Sequence, residues 1–460
     1  MARERSPGIK LLFAVLIGGA LLIPLLAVYA LVYDRQHQAR VAQDSITVGW
    51  GGAQVVSGPV LVIPYRAERV TSEQVDGKTV TRTVVERDEL FLSPESQQVT
   101  TEIDPDVKER SIYKTVIYLA KLGGTAKFVL PPDLERFGVK REQLLLNEAE
   151  FRFGASDSRG LQTDTKVSVN GTALPLKPGN GVASSNGSGF FGYFEWTDGE
   201  PLDVVWSYSL RGSRSLTLVP RGGSTEWKAS SSWPHPSFEG DFLPEHETGA
   251  QGFAATWSVT NLALGQALVL DDDPGAPNVS EPDGRSVIYA EPVGTGQSMA
   301  ATIRLVDPVD VYSRVDRSVK YGFLFIGFTF LAFLMFDIVG GARVAAAEYL
   351  LSGAGLVLFF VMLLAFSEVI GFTLAYLVAS GAIIGLLTAY SAAVLGSWKR
   401  ARFIGALLLG LYGLLYVLLS LEAWSLMIGS VLLFFALAGV MYATRQIDWS
   451  SVGRSDTVDA

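Results

Sequence analysis

Cysteine is absent from all 460 residues. That excludes disulfides, thiolate metal sites and cysteine nucleophiles. Histidine is scarce, with only His37, His235 and His246, so a Ser-His-Asp triad has few ways to form. No P-loop, HExxH, zinc ribbon or GxSxG motif occurs. Proline stops early: all twenty prolines lie at or before Pro308. Charge is also sparse, at 18% of residues against roughly 25% for an average soluble protein.

What is present is apolar and unevenly placed, and the mean hydropathy is +0.30. Arg3, Arg5 and Lys10 precede Leu11–Tyr33, which is 23 residues long and carries no charge. A helix of that length spans about 35 Å, enough to cross a ~30 Å hydrocarbon core with some tilt. A signal peptide cleaved near Val28-Tyr29-Ala30 is the competing reading, although the apolar run exceeds the usual 7–15 residues of a signal core. In either case the cationic end stays in the cytoplasm and the next domain is exported.

Five further apolar segments follow, at about Tyr321–Gly341, Tyr349–Phe366, Phe372–Leu395, Phe403–Leu421 and Trp424–Tyr442. The loops that then face inward carry Arg343, Lys399, Arg400 and Arg402, and the tail carries Arg445 and Arg454. Those that face outward, near Ser367–Gly371 and Leu421–Trp424, hold no Lys or Arg. This is the positive-inside pattern, and it predicts six spans with both termini cytoplasmic. Gly381 and Gly385 form a small-xxx-small pair that would let a neighbouring helix approach closely. Asp337 is an intramembrane acid and so a functional candidate, though its nearness to Arg343 and the inner interface favours an ion pair over a proton relay.

Residues 34–319 hold 27 basic and 38 acidic residues, a net charge of −11. Such a domain suits neither nucleic acid nor docking on anionic lipid. Its texture is β. Val60–Tyr65, Lys78–Val85, Glu89–Leu92, Lys166–Val169, Phe190–Trp196, Leu202–Leu210, Ser215–Val219, Thr225–Ser230, Gly252–Val259 and Ala300–Val306 read as strands. Gly123-Gly124 reads as the turn of a hairpin between Ile112–Leu119 and Ala126–Leu130, and Asn170-Gly171 as a type I′ turn. The first helix is expected to run a few turns past the membrane and to break at Ser57-Gly58-Pro59. Gly179–Gly192 and Asp271–Gly284 read as loops, the second acidic and solvated. The predicted architecture is a multi-pass membrane protein. Its large exported β-rich domain, a sandwich or rolled sheet, is inserted between the first helix and a five-helix C-terminal block. The expected boundaries are 1–33, 34–319, 320–443 and a cytoplasmic tail at 444–460.

The densest chemistry lies at Trp233-Pro234-His235-Pro236-Ser237-Phe238-Glu239-Gly240-Asp241-Phe242-Leu243-Pro244. His235 and His246 flank Asp241 at a spacing that could supply three metal ligands. Fixed φ at the prolines, with Trp233, Phe238 and Phe242 as pins, favours a rigid corner instead. Trp233, His235, Phe238 and Asp241 are the candidate functional or partner-binding residues. No catalytic residue, metal or cofactor is expected.

This stretch closely resembles the signature of the CreD family of bacterial inner-membrane proteins. The resemblance continues through Ser57-Gly58-Pro59, Ile63-Pro64, Lys320-Tyr321, Tyr349-Leu350-Leu351, Leu364-Ala365-Phe366-Ser367-Glu368 and Ile447-Asp448-Trp449, over nearly the whole chain. It implies an inner-membrane protein linked to envelope integrity and stress tolerance, and it brings no catalytic residues. The expected function is non-enzymatic: the periplasmic domain binds other envelope proteins or cell-wall components, and the only other partner is the lipid bilayer. A periplasmic hydrolase or transferase centred on His235 and Asp241, and a transporter using Asp337, are the alternatives.

Overall fold

The computed structural model describes residues 7–75, 78–132, 134–197, 199–278, 296–306, 311–338, 344–420 and 425–445. Residues 279–284 of the expected acidic loop, Arg343, and the tail with Arg454 lie outside them. The chain forms two compact units, 42–308 and 1–41 with 309–460.

Helix α1, Pro7–Trp50, carries Pro24 within it. It runs on to Trp50, as its Gly-free polar stretch predicts. It ends at Gly51-Gly52 rather than at Ser57-Gly58-Pro59, because Gly51 takes φ +139°. Ser57-Gly58-Pro59 lies inside a strand instead.

In chain order the strands begin with β1 Gln54–Val75, β2 Lys78–Leu92, β3 Ser96–Arg110, β4 Tyr113–Phe128, β5 Ala149–Ala155 and β6 Lys166–Val169. Then come β7 Thr172–Ala173, β8 Lys177–Pro178, β9 Gly189–Phe194, β10 Leu202–Ser213, β11 Ser215–Val219 and β12 Ser224–Ser231. The last are β13 Pro236–Gly240, β14 Glu245–Gly249, β15 Gly252–Thr260, β16 Val269–Leu270 and β17 Ala301–Leu305, with the short helix α2, Asn261–Leu264, after β15.

One sheet of nine strands runs β13-β17-β11-β1-β5-β9-β8, with β2 on β1 and β16 on β2. The other has eight, in the order β14-β15-β12-β3-β4-β10-β6-β7. Alternation drives the layering: β3 opens exposed-buried-exposed-buried, the period of a half-covered strand. Ile63, Phe151, Phe153 and Leu216 from the first sheet share one apolar core with Tyr118, Trp206, Trp227 and Trp257 from the second.

One predicted pair of strands and one predicted hairpin each become a single strand. Lys78–Val85 and Glu89–Leu92 are one strand, β2, paired with β1 from Leu61↔Leu92 to Val75↔Lys78, since no turn residue separates them. Gly123-Gly124 lies inside β4, not at a turn. A Cβ at Gly124 would collide with Gln98 O and the indole of Trp206, so this glycine admits a neighbouring ring rather than a bend. Asn170 and Gly171 do turn, at φ +48° and +79°, between β6 and β7.

The helical unit adds α3 Val311–Lys320, α4 Gly322–Ile338, α5 Ala346–Ile370, α6 Phe372–Val394, α7 Trp398–Ser420 and α8 Ser425–Thr444 to the start of α1. Phe333, Phe359, Phe360, Tyr376 and Tyr412 fill its interior. Among the described residues five helical stretches are long and apolar enough to cross a membrane: Leu11–Trp50, Val311–Asp337, Ala346–Ile370, Phe372–Val394 and Trp398–Ser420. Four of the five expected C-terminal spans are thus met. The fifth stretch forms α8, 20 residues long, but residues 421–424 and several α8 side chains lie outside the description, so it does not join that set. Helix α3 is a further departure. All but its last residue falls inside the expected 34–319 boundary, yet it leads into α4 after one residue.

Candidate functional site

The stretch at 233–249 crosses from one sheet to the other and supplies the outermost strand of each. Trp233 Nε1 donates to Val306 O at 3.0 Å, and His235 O accepts from Val306 N at 3.3 Å. Pro236 then opens β13, which pairs with β17 from Pro236↔Leu305 to Gly240↔Ala301. A proline is tolerated there because it is the first residue of an edge strand. Arg304 holds Glu239 with two bonds, Nε to Oε1 at 3.0 Å and Nη2 to Oε2 at 2.7 Å. Gly240, at φ +98°, turns the chain against Ala300. Asp241 N donates to Ala300 O and Asp241 Oδ2 accepts from Ala300 N, both at 2.8 Å. Trp257 Nε1 donates to Phe242 O at 3.0 Å, and after Pro244 the chain enters β14 on the other sheet.

The aromatic pins behave as their composition predicts. Phe238 meets Phe253 and Trp257 edge-on, at centroid distances of 5.6 and 5.7 Å, and the His246 ring at 4.8 Å. Trp233, Phe238 and Phe242 all pack on the shared core while staying partly exposed. Carbonyl and indole bonds lock the corner.

The geometry does not bring the three possible ligands together. His235 and Asp241 sit at opposite ends of β13, roughly 20 Å apart at the ~3.3 Å rise of a strand residue. His235 is exposed, and the Asp241 carboxylate is engaged with backbone. His246 Nδ1 is 3.3 Å from Pro244 O, and its ring lies on Phe238. Among the described residues no group of three or more His, Cys, Asp or Glu side chains is placed to hold a metal ion. An open depression of about 260 Å³ over β3, β12 and β15 is lined by hydroxyls and amides, with Glu226 as its one acid, already paired with Lys228 at 2.8 Å.

Asp337 is 3% exposed and is the penultimate residue of α4.

One polar cluster escaped the sequence reading. Asp273, assigned there to a solvated loop, is buried beneath Arg221. Arg221 Nη2 donates to Asp273 Oδ1 at 2.5 Å, its Nε donates to Ser57 Oγ at 3.2 Å, and Ala183 N donates to Asp273 Oδ2 at 2.5 Å. The pair ties the loop after β16 to the turn before β12 and to the glycine-rich loop. Nothing local marks it, because its members are 52 residues apart. Asp271 and Asp272, by contrast, are exposed.

Two sheets with a shared core, an apolar N-terminal helix before them and a helical block after them define a multi-pass membrane protein with a large β-rich insertion. A family model described as Inner membrane protein CreD matches residues 6–450. The chain is also similar to Inner membrane protein CreD of Escherichia coli (strain K12), at 32% identity over 442 residues, 93% of this chain and 90% of that protein. The chain belongs to the CreD family, a family of inner-membrane proteins.

Proposed function

We propose that the protein supports the integrity of the cell envelope and its tolerance of stress from the inner membrane. In this reading the β-rich domain lies in the periplasm and binds other envelope components, with both chain ends in the cytoplasm. Loop charge supports the sidedness: Lys399, Arg400 and Arg402 crowd the start of α7, while the α5–α6 turn at Gly371 carries no cation. The corner at 233–249 carries the binding reading. It leaves the outer edges of β13 and β14 at the ends of their sheets, and Leu243 between them is 73% exposed. Strand edges offer unpaired backbone groups to an incoming chain. The absence of cysteine makes the sidedness directly testable. A Ser232→Cys variant should react with a membrane-impermeant maleimide on intact spheroplasts, and Ser397→Cys only after lysis. The reverse pattern overturns the topology. For binding, Leu243→Asp should lower resistance to envelope stress at unchanged protein level, and full resistance removes the corner from the binding surface.

A further inference from the structure

Helix α3 is basic along one side and sits at the end of the bundle where α5 gives way to α6. Tyr312 Oη donates to Glu368 Oε1 at 3.1 Å, and the Arg314 guanidinium lies 5.7 Å from the ring centroid of Phe372. Lys320 Nζ is 6.0 Å from the ring of Tyr29 on α1. Val315, Ser318 and Val319 form the buried side of the helix. At 3.6 residues per turn, Arg314, Arg317 and Lys320 recur every third residue and stay within an arc of about 120° away from that side. Ser313 falls within the same arc. Asp316, at its rim, pairs with Lys320 at 2.7 Å, so three cations face one acid along the helix.

The cations of the opposite end, Lys399, Arg400 and Arg402, follow the positive-inside bias. Those of α3 do not, because the sidedness proposed above puts the α5–α6 end away from the cytoplasm. We propose that Arg314, Arg317 and Lys320 form a recognition surface for anionic phospholipid headgroups at that end of the bundle. Amphipathic helices with a basic face lie in the membrane interface with their cations among the phosphates, and the α5–α6 end beside α3 is where such an interface falls if α5 and α6 cross the bilayer. Guanidinium groups bind phosphate oxygens in pairs, and each cation near an anionic surface raises affinity about fivefold. The leaflet involved rests on the proposed sidedness. The lipid preference does not.

The test uses the full chain with Ser313→Cys, the only thiol present, carrying a fluorophore, reconstituted in phosphatidylcholine vesicles. Brominated phosphatidylglycerol or brominated phosphatidylcholine is added to both leaflets, so that a wrong topology cannot imitate a failed lipid preference. Quenching by brominated phosphatidylglycerol should exceed that by brominated phosphatidylcholine severalfold at equal content, and it should weaken in 0.5 M salt. Arg314→Gln/Arg317→Gln/Lys320→Gln should remove the preference, while Arg314→Lys/Arg317→Lys should keep at least half of it. Equal quenching by the two lipids in the parent chain overturns the proposal. A preference that survives the triple substitution also overturns it, and so does its loss in the lysine variant.

Discussion

Buried polar groups are handled differently in the β-rich domain and in the helical bundle. In the β domain they reach far along the chain. Tyr118 Oη donates to Ser215 O at 2.7 Å, Gln97 Nε2 to Gly58 O at 2.6 Å and Trp227 Nε1 to Thr101 Oγ1 at 2.9 Å. Thr217 and Thr302 share a hydrogen bond of 2.8 Å across β11 and β17. In the bundle, serines turn back onto their own helix: Ser318 to Arg314 O, Ser367 to Leu364 O and Ser391 to Leu387 O. The hydroxyls of Thr329, Tyr349 and Ser352 are buried there with no partner among the described residues. A helix satisfies its own backbone, so few of its side chains need to tie helices together, and Tyr376 Oη, which donates to Tyr412 O at 2.6 Å, is one that does. A sheet joins distant segments, and its buried polar side chains become the ties between them. Stability carried by specific polar contacts should therefore concentrate in the β domain.

The hardest test of that contrast is the Arg221–Asp273 pair, whose side chains are 1% and 7% exposed. Arg221→Met should cost about 3–5 kcal/mol, because it strands a buried carboxylate. Asp273→Leu added to it should recover much of the loss. Both are measured by tryptophan fluorescence during unfolding of the full chain, and a loss below about 1 kcal/mol would show the pair to be replaceable. Phe238→Ala should follow at about 2 kcal/mol, less than the 3–5 of a fully buried Phe, because its ring is partly exposed. The same signal reports on it through Trp257, which it touches.

Smaller effects sharpen the comparison. Thr217→Val should cost about 1 kcal/mol by orphaning Thr302, whereas Ser352→Ala in the bundle should be neutral or stabilising, since it removes a hydroxyl with no partner among the described residues. Equal costs in thermal unfolding would erase the distinction. The smallest effect is acid sensitivity. Hydrogen bonds from Arg159 hold the Asp157 carboxyl below its usual range, and Ser209 does the same for Asp164. A carboxyl lowered on folding contributes stability that is complete above its unfolded value of roughly 4 and is lost as pH falls through the folded one. Asp157→Asn should therefore flatten the loss of β-domain stability below about pH 4 while leaving its slope at neutral pH unchanged. A chemical-denaturation series against pH checks this.

Much of the fold is legible along the chain. Ser215–Val219 and Lys166–Val169 are strands over just the residues their alternation marks. The corner at 233–244 is legible as rigid, since three prolines and three aromatics leave little freedom, but not as two edge strands. Prolines disguise β13, and the charges of Glu245-His246-Glu247 disguise β14, whose five residues are all exposed. The glycines of β4 mislead because the same residue permits a turn or a close ring, and only the position of Trp206 distinguishes the two.

Local chemistry was enough to establish the membrane helices, the β texture of the middle and the family signature. Hydrophobic length, alternation and proline content act over a few residues and need no knowledge of the rest. The fold settled what depends on distant partners. It separated His235 from Asp241 by a strand and turned Asp273 from a solvent-facing acid into one half of a buried ion pair. Those outcomes depend on which segments sheet pairing and helix packing bring side by side, and no window of neighbouring residues holds that information.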